Sequence, residues 1–328
     1  MTRPSPAASL SRRALRPPGD WPAMVDLICA VNAFDVVDWF PTVAQLEVDW
    51  APAPGFDPSE DIHVAEDGGR LVGAVQHSWR ERDRKIVHTL EIWVRPEARR
   101  RGIGRELLAW GEQRARDSVA GGTGGSLDLP HVLGLMGGAH IAATVAFAEA
   151  AGYVPIRYSF AMRRDLTEPI PDVPMPDGLE TRPVMPEQHR QIWDADVEAF
   201  QDHWEAAVRD EADFVRFFEN PDLDTSMWQV AWDGDQVAGS VVNGIYPDEN
   251  AHLGLDVGWL DHVSVRRPWR NRGLANALVA RSLRVLRDRG MAIAALGVDA
   301  ENPTGALGLY ERNGFFVHQR YVKFRKPL

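Results

Sequence analysis

Residues 263–275 read VSVRRPWRNRGLA, and this stretch decides the fold. It opens with a β-branched run, turns at Gly273, and continues into a helical pattern with one apolar face. That face consists of Ala275, Val279, Leu283 and Leu286. Glycine lets the backbone turn sharply and approach a ligand closely. Because the first amides of a helix are unpaired and lie at the positive end of its dipole, the stretch predicts a strand–turn–helix junction suited to a phosphate group.

The same junction occurs earlier in the chain, where residues 92–104 read IWVRPEARRRGIG. Aligning its glycine, Gly102, with Gly273 also aligns Arg99 with Arg270. Such internal similarity indicates that one structural unit is present twice. Arginines beside a glycine-rich turn could add charge-assisted contacts to a phosphate.

A second pair of similar stretches follows each junction. Residues 147–153 read FAEAAGY, and residues 309–315 read LYERNGF. The spacing from the junction is nine residues longer in the first half, and the glycine-rich run 121–126 can hold the extra residues as a flexible loop. The two halves therefore share one order of elements.

The length of 328 residues suits two domains of roughly 150 residues each. Residues 167–178 are rich in proline and are predicted to be a linker, which gives domains at 1–166 and 179–328. In the second half, the patterns predict a mixed α/β fold with helices covering a sheet. The predicted strands are 179–184, 228–232, 236–245, 260–265, 293–298 and 316–326, and the predicted helices are 187–200, 211–218, 274–286 and 304–313.

Charge and composition exclude several classes of function. The net charge of -11 has the wrong sign for a nucleic-acid binder, and no apolar run approaches the roughly 20 residues of a membrane span. Residues 1–20 lack the apolar segment of a secretory signal, so a cytoplasmic protein is expected. The single cysteine, Cys29, excludes an intrachain disulfide and an all-cysteine metal site, and no metal is expected.

Both junctions carry the signature Arg/Gln-x-x-Gly-x-Gly/Ala, with glycine last at 99–104 and alanine last at 270–275. In this the chain resembles the GCN5-related N-acetyltransferase (GNAT) family, over residues from about 12 to 328. The resemblance implies two tandem GNAT domains that use acetyl-CoA as co-substrate and pass its acetyl group directly to an amine. It also implies that the sheet opens after the signature strand to admit the thioester.

The resemblance further implies which residues contact acetyl-CoA. In the second half they are Val263, Ser264, Val265, Arg270, Asn271, Arg272, Gly273, Leu274, Ala275, Asn276 and Asn302. In the first half they are Val94, Arg99, Arg100, Arg101, Gly102, Ile103 and Gly104.

The catalytic acid of the family is often a tyrosine early in the last helix, and Tyr310 occupies that place. Asn302 matches an asparagine that contacts the pantetheine, although it could equally cap a helix. The first half has Ala148 in place of Tyr310, and Ala139 or His140 in place of Asn302. We therefore expect a degenerate first domain and a catalytic second domain.

The general base is less sharply marked. Family members often carry an acidic residue 12 or 14 positions before the signature glycine, which here are Asp261 and Trp259. Strand alternation places Trp259, Asp261 and Val263 on one face, and Asp261 is the candidate base, directly or through water. His262 is expected on the opposite face, but its intrinsic pKa keeps it as an alternative.

The acceptor could be a small-molecule or a peptide amine. The tandem arrangement resembles that of the mycothiol synthases, but Trp259 stands where those enzymes carry glutamate, so this resemblance supports the architecture more than the substrate. Three tryptophans, Trp193, Trp204 and Trp228, could line an acceptor cleft, although tryptophans at helical spacing more often belong to a core. The alternative function is a CoA-binding sensor or scaffold without catalysis.

Overall fold

Contacts divide the chain into two units, each built from strands covered by helices. The computed structural model describes residues 10–302 and 305–328. The first unit comprises the residues up to Gly137, with Ile141–Ile156 and Lys323–Leu328. The second unit comprises Gly138–His140 and Arg157–Val322.

The first unit alternates strands and helices. Its elements are β1 (Ser11–Ala14), α1 (Trp21–Asp35), α2 (Val43–Asp49), α3 (Pro58–Asp61), β2 (Ile62–Asp67), β3 (Arg70–Arg82), β4 (Lys85–Val94), α4 (Ile103–Ala120), β5 (His131–Gly138), α5 (Ala142–Ala150) and the start of β6 (Val154–Asp165). Strands β1 to β4 pair antiparallel in chain order, and β4 pairs parallel with β5.

Helices cover both faces of this sheet. Helix α1 packs a cluster that includes Met24, Leu27, Ile28 and Trp93 against one face. Helix α4 packs Ile103 and Leu107 against the other face. A Cβ atom at Gly73 of β3 would lie 3.0 Å from both of these α4 side chains, so the glycine lets the helix lie close on the strand.

The second unit repeats this strand order, but two helices instead of three follow its first strand, and one helix lies between its third and fourth strands. Its elements are β7 (Glu180–Arg182), α6 (His189–Phe200), α7 (Glu211–Phe218), β8 (Gln229–Asp233), β9 (Gln236–Ile245), α8 (Pro247–Leu253), β10 (Val257–Val265), α9 (Leu274–Asp288), β11 (Ile293–Asp299), α10 (Ala306–Arg312) and most of β12 (Phe316–Pro327). Strands β7 to β10 pair antiparallel in chain order, and β10 pairs parallel with β11.

The predicted elements of the second half agree with the structure, with differences at their ends. Helix α7 and strand β9 have the predicted bounds, and the turn between β8 and β9 lies at the predicted Asp233–Asp235. The prediction missed α8, a single short helix between two strands. Trp193 and Trp228 are buried, which confirms them as core residues. The predicted start of the last helix at Thr304 lies outside the described residues.

The two units do not follow the predicted division at residues 166 and 179. Strand β6 closes the first half of the sequence, yet its residues Ser159–Asp165 pair antiparallel with Ile293–Asp299 of β11. The predicted linker also packs on the second unit, where Ile170 and Met175 contact its core. Sequence patterns place strands correctly but do not show which strand each of them pairs with.

No helix of the described residues is long and apolar enough to cross a membrane. Within the same residues, no cluster of three or more histidine, cysteine or acidic side chains could hold a metal ion.

Candidate active site

The glycine-rich junction forms a backbone cradle in each unit. Asn271 and Gly273 have φ angles of 59° and 85°, and Arg100 and Gly102 have φ angles of 64° and 87°. Alternating positive φ turns successive amides toward one point, and no side chain caps α4 or α9. A Cβ atom at Gly273 would meet nothing within 4 Å, so the space before the amides is open. This geometry fits a phosphate group at the helix start.

The residues around each cradle glycine divide into packed and exposed ones. Leu274 and Ile103 are buried in the cores, whereas Asn271, Arg272 and Arg100 are exposed at the surface. A Cβ atom at Gly104 would be in ordinary contact with Val94, at 3.6 Å. This explains why alanine is accepted at the matching position, Ala275.

The first arginine of each signature is bound inside the protein. Arg270 donates from Nε to the Val265 carbonyl at 2.9 Å and from Nη1 to the Asp202 carboxylate at 2.6 Å. Arg99 donates in the same way to the Val94 carbonyl at 3.0 Å and to Asp35 at 2.6 and 2.8 Å. Both arginines are thus hydrogen-bonded to protein groups, and their contact with a phosphate stays a prediction.

The arginines at the third position of the two signatures also have partners. Arg101 donates to the Asp67 carboxylate at 2.8 Å, and Arg272 donates to the Asp177 carbonyl at 3.3 Å. Both side chains are exposed, and contacts at an exposed surface are readily exchanged. These arginines remain available to an anionic ligand at the cradle.

The sheet of the second unit opens where the resemblance implies. The parallel pairing of β10 with β11 ends at Leu260 and Leu296. Val263, Ser264 and Val265 follow this point and keep their pairing with β9 only. In the first unit the pairing of β4 with β5 ends in the same way, after Thr89.

A β-bulge lies at the opening, between Leu260 and His262, and Asp261 is its extra residue. His262 pairs with Val242 of β9, and a Cβ atom at Gly244 of the same strand would meet the Asp261 carboxylate. Residues 242 and 244 project from one face. Asp261 and His262 therefore share that face, and the predicted opposite orientation of His262 is wrong because the bulge breaks the alternation.

Asp261 accepts a hydrogen bond from the Tyr246 hydroxyl at 2.9 Å. The residue is reached by solvent, yet protein atoms surround its carboxyl closely enough to raise its pKa, although Tyr246 and nearby His262 act to lower it. Burial, with the neighbouring Asp261 charge, also raises the pKa of Tyr246. Asp261 is thus an accessible acid in a concave setting.

His262 is held by an acid that the sequence did not reveal. Its Nδ1 lies 3.0 Å from Oδ2 of Asp196, a buried residue of α6. Burial acts to lower the pKa of His262, but the charge and hydrogen bond of Asp196 outweigh it, and the pKa is raised. For Asp196, burial acts to raise the pKa, and the contacts with His262 and Arg209 bring it below its ordinary value. The contacts with His262 and Arg209 therefore favour the charged form of Asp196.

Tyr310 lies in α10, buried and edge-on to Phe315 with 5.9 Å between ring centroids. Burial raises the pKa of its hydroxyl, so the hydroxyl keeps its proton at neutral pH. The Phe315 amide donates to the Tyr310 carbonyl at 3.0 Å, and the Tyr153 amide donates to the Ala148 carbonyl at 3.1 Å. The matching helix ends place Ala148 where Tyr310 stands, as the sequence alignment predicted.

Two further residues that were predicted to contact acetyl-CoA, Asn276 and Asn302, lie near α10. The side chain of Asn313 donates to Oδ1 of Asn276 at 2.7 Å, which ties the start of α9 to the end of α10. Asn302 precedes this helix, whose first turn is preceded by Gly305 in a left-handed conformation. Asn302 is therefore not the residue that caps α10.

The first unit has an acid at the position of His262. Glu91 pairs with Gln76, three residues after Gly73 in β3. His262 pairs with Val242, three residues after the matching Gly239 in β9. Glu91 is reached by solvent, and the surrounding protein raises its pKa. The sequence comparison missed it because only positions 12 and 14 before the signature glycine were considered, whereas Glu91 and His262 each lie 11 positions before their glycine, Gly102 or Gly273.

A family model for the acetyltransferase (GNAT) family matches residues 25–125 and 189–315. The chain belongs to the GNAT family. It carries the GNAT domain twice and is an N-acetyltransferase, as the repeated junction predicted.

The GNAT relatives of this chain include mycothiol acetyltransferases. Those of Salinispora tropica and Geodermatophilus obscurus are 33% and 30% identical over 239 and 241 residues, with 72% of this chain covered in both comparisons and 72% and 73% of the relatives. That of Cellulomonas flavigena is 33% identical over 230 residues, or 69% of this chain, which span 63% of the relative's own length.

Two solved GNAT structures resemble the whole chain. A GCN5-related N-acetyltransferase from Sphaerobacter thermophilus has a TM-score of 0.74 at 26% identity, covering 97% of this chain and 95% of its own. A tandem GNAT protein from the clavulanic acid biosynthesis pathway has a TM-score of 0.67 at 20% identity, covering 97% and 98%, and supports the fold alone.

Proposed function

We propose that the protein transfers an acetyl group from acetyl-CoA directly to the amine of a small molecule, and that the second unit performs the chemistry. The observation that carries the proposal is the difference between matched positions in the two units. Both have the backbone cradle, but the Tyr310 hydroxyl in the last helix of the second unit is matched by Ala148 in the first. The first unit is proposed to bind CoA or to support the fold without turnover.

The residues divide the work between binding and proton transfer. The amides that follow Asn271 and Gly273 bind the pyrophosphate, and Arg270 holds the end of β10 in place through Val265 and Asp202. Acetyl-CoA supplies the thioester that the amine attacks. Asp261 or His262, side by side at the bulge, takes the amine proton. Tyr310 gives its proton to the departing thiolate, because burial keeps its hydroxyl protonated.

Two observations support a small acceptor. The curated relatives are named mycothiol acetyltransferases, and the acidic residues Asp196 and Asp261 lie near the sheet opening, where they would attract a cationic amine. Trp259 stands where the mycothiol synthases carry glutamate, and this difference leaves the identity of the amine open. The Trp259 indole donates to Glu249 of α8 at 2.9 Å, so an acid lies beside that position.

The experiment is the release of CoA thiol from acetyl-CoA in the presence of an amino sugar, a polyamine, an amino acid and a lysine peptide. Tyr310→Phe keeps the ring and removes the proton, so kcat should fall about 10²–10⁴-fold, the usual contribution of a positioned acid. Binding of acetyl-CoA, measured by calorimetry, should stay nearly constant. Full turnover by Tyr310→Phe would remove Tyr310 from the mechanism, and absence of acetyl-CoA binding by the native protein would contradict the proposal itself.

A further inference from the structure

The buried Asp196 of α6 faces an ionisable ring at the sheet opening. Asp196 is 3% exposed, and its Oδ2 atom lies 3.0 Å from Nδ1 of His262. Arg209 donates to the same oxygen at 3.3 Å. A carboxylate is costly to bury without partners, so this one is held charged by a histidine and an arginine.

His262 is held in a fixed orientation by its neighbours. Its ring stacks on Phe217 of α7 with 5.8 Å between centroids and lies 5.3 Å from the ring of Phe200. The hydrogen bond to Asp196 places the proton of the neutral ring on Nδ1. Nε2 then carries the lone pair, and no other described residue bonds to it.

The location of His262 connects this pair to the opening of the sheet. It follows the bulge residue Asp261 and lies two residues beyond Leu260, where pairing with β11 ends. The side chain of His262 is 23% exposed, whereas that of Asp196 is 4% exposed. The histidine is therefore the accessible member of the pair, and the aspartate supports it from the interior.

We infer that His262 is the general base of the second unit and that Asp196 is its positioning residue. The inference rests on the proposed function and deepens it. Oriented by Asp196, His262 accepts the amine proton on Nε2 in the same arrangement by which a carboxylate orients a catalytic histidine elsewhere.

Asp261 is the competing base, and two observations favour His262 over it. Asp261 already accepts the Tyr246 hydroxyl at 2.9 Å. A base works best when its pKa lies near the working pH, and histidine begins close to that value whereas aspartate begins well below it. Asp261 keeps a second role, because a carboxylate next to the base attracts a cationic acceptor amine.

The charge environment of His262 can be described element by element. Helix α6 contributes Asp196, the segment before α7 contributes Arg209, and β10 contributes Asp261. His203 follows α6 and lies against Phe200 with their rings tilted, and α7 presents Phe217 to the His262 ring. Strand β9 presents the uncharged Val242. Asp196 is the strongest charged influence, so its removal should change the His262 titration most.

The proton and bond changes balance without a further reactant. The amine nitrogen forms a bond to the acetyl carbonyl carbon, and its proton moves to Nε2 of His262. The carbon–sulfur bond breaks, and the thiolate takes the hydroxyl proton of Tyr310. His262 then loses its proton to water, and the tyrosinate takes one from water, which restores both side chains.

The first test follows the His262 ring by NMR and needs no acceptor. The pKa of His262 should fall by about one to three pH units in Asp196→Asn, because the variant removes the charge that favours the imidazolium. Asp261→Asn is the matched control and should lower the pKa less. An unchanged His262 titration in Asp196→Asn would overturn the pair.

The second test follows kcat/KM against pH with the best acceptor of the amine panel. His262→Gln should lower kcat/KM about 10²–10⁴-fold and remove the limb that rises from acidic pH. Asp196→Asn should shift that limb to lower pH, and Asp196→Glu should restore part of it. If Asp261→Asn removes the limb and His262→Gln keeps it, Asp261 is the base. If no amine is acetylated by the native protein, the proposed function fails, and the titration alone still decides the pair.

Discussion

Several side chains near the proposed site are held by residues that are distant in sequence, and sequence motifs do not show these partners. The arginines of the two signatures are an example, because their carboxylate partners Asp35 and Asp202 are 64 and 68 residues away in the chain. The motif identified the junction correctly, but it does not show which carboxylate binds its first arginine. His262 was recognised as ionisable, but Asp196, 66 residues before it, has no signature of its own.

Three histidines of the first unit form a hydrogen-bonded row across neighbouring strands. His77 lies 3.1 Å from Asp61 and 3.0 Å from His88, and His88 lies 3.0 Å from His131. His131 ends the row 3.0 Å from the carbonyl oxygen of Ser126. The Asp61 carboxylate and the Ser126 carbonyl, at the two ends of the row, can only accept hydrogen bonds. The four hydrogen bonds therefore need four ring protons, whereas three neutral rings have three. Three neutral rings therefore leave one of the four contacts without a proton.

The central ring of this row should make the protein sensitive to acid. Burial, followed by the charges of His77 and His131, lowers the pKa of His88 to about 3, so the folded protein keeps this ring neutral while the unfolded chain protonates it below a pH of about 6.5. A depressed histidine pKa costs nothing above pH 6.5 and destabilises the fold as pH falls toward 3. The contribution is about 1.4 kcal/mol per pH unit.

His88→Leu should therefore reduce the slope of unfolding free energy between pH 6 and pH 4 by about one proton, even though the variant loses stability at pH 7. Urea unfolding of both proteins at several pH values measures this difference. Asp61 adds acid sensitivity of the same sign, because its pKa is lowered by His77 and Arg114 against the raising effect of burial. Parallel curves for the native protein and the variant would show that His88 also titrates when folded.

At the scale of elements, the two copies provide matched positions for experiments. Gly102 and Gly273 have nearly equal φ angles of 87° and 85°, so a side chain costs similar backbone strain at both. The space ahead is also similar: a Cβ atom meets only Glu106, at 3.8 Å, at the first position and nothing within 4 Å at the second. A glutamate at either position would place a negative charge where the phosphate is proposed to bind.

Gly273→Glu should abolish most acetyl transfer, whereas Gly102→Glu should affect it much less, because only the second unit carries Tyr310. Steady-state rates with the amine panel measure the contrast, and circular dichroism checks that both variants fold. Loss of activity in Gly102→Glu alone would place catalysis in the first unit, where Glu91 is the accessible acid.

Elements with strong local signals were predictable, and those set by tertiary contacts were not. Helix α9 shows one apolar face in its sequence, and the β8–β9 turn carries an Asp-Gly pair, so both were found. The bulge at Asp261 has no such signal, and it reversed the expected direction of His262. Strand β6 alternates like any other strand, and nothing in that alternation shows that it pairs with β11.

At the scale of the whole molecule, the strand content of the two units predicts how fragments behave. A fragment of residues 179–328 lacks β6 and exposes one edge of β11, whose residues Ala294–Leu296 are buried in the full chain. Exposed apolar edges promote aggregation. A fragment of residues 157–328 keeps that strand and should be more soluble and melt at a higher temperature.

Size-exclusion chromatography and thermal melts of the two fragments test this, with the full chain as reference. Equal behaviour of the two fragments would mean that β6 contributes little to the second unit. The two fragments differ in β6 and in residues 166–178, whose Ile170 and Met175 contact the same core, so the comparison measures the two contributions together.

The order in which a ribosome makes this chain does not match the order in which its units can be completed. Lys323–Leu328 belong to the first unit, although they are made after every element from β7 to α10. The Lys326 ammonium lies 2.8 Å from the carboxylate of Glu112, a residue of α4. The amino-terminal unit must therefore wait, partly assembled, until the rest of the chain has emerged. A chaperone that shields a nascent chain would meet its longest-exposed surface there.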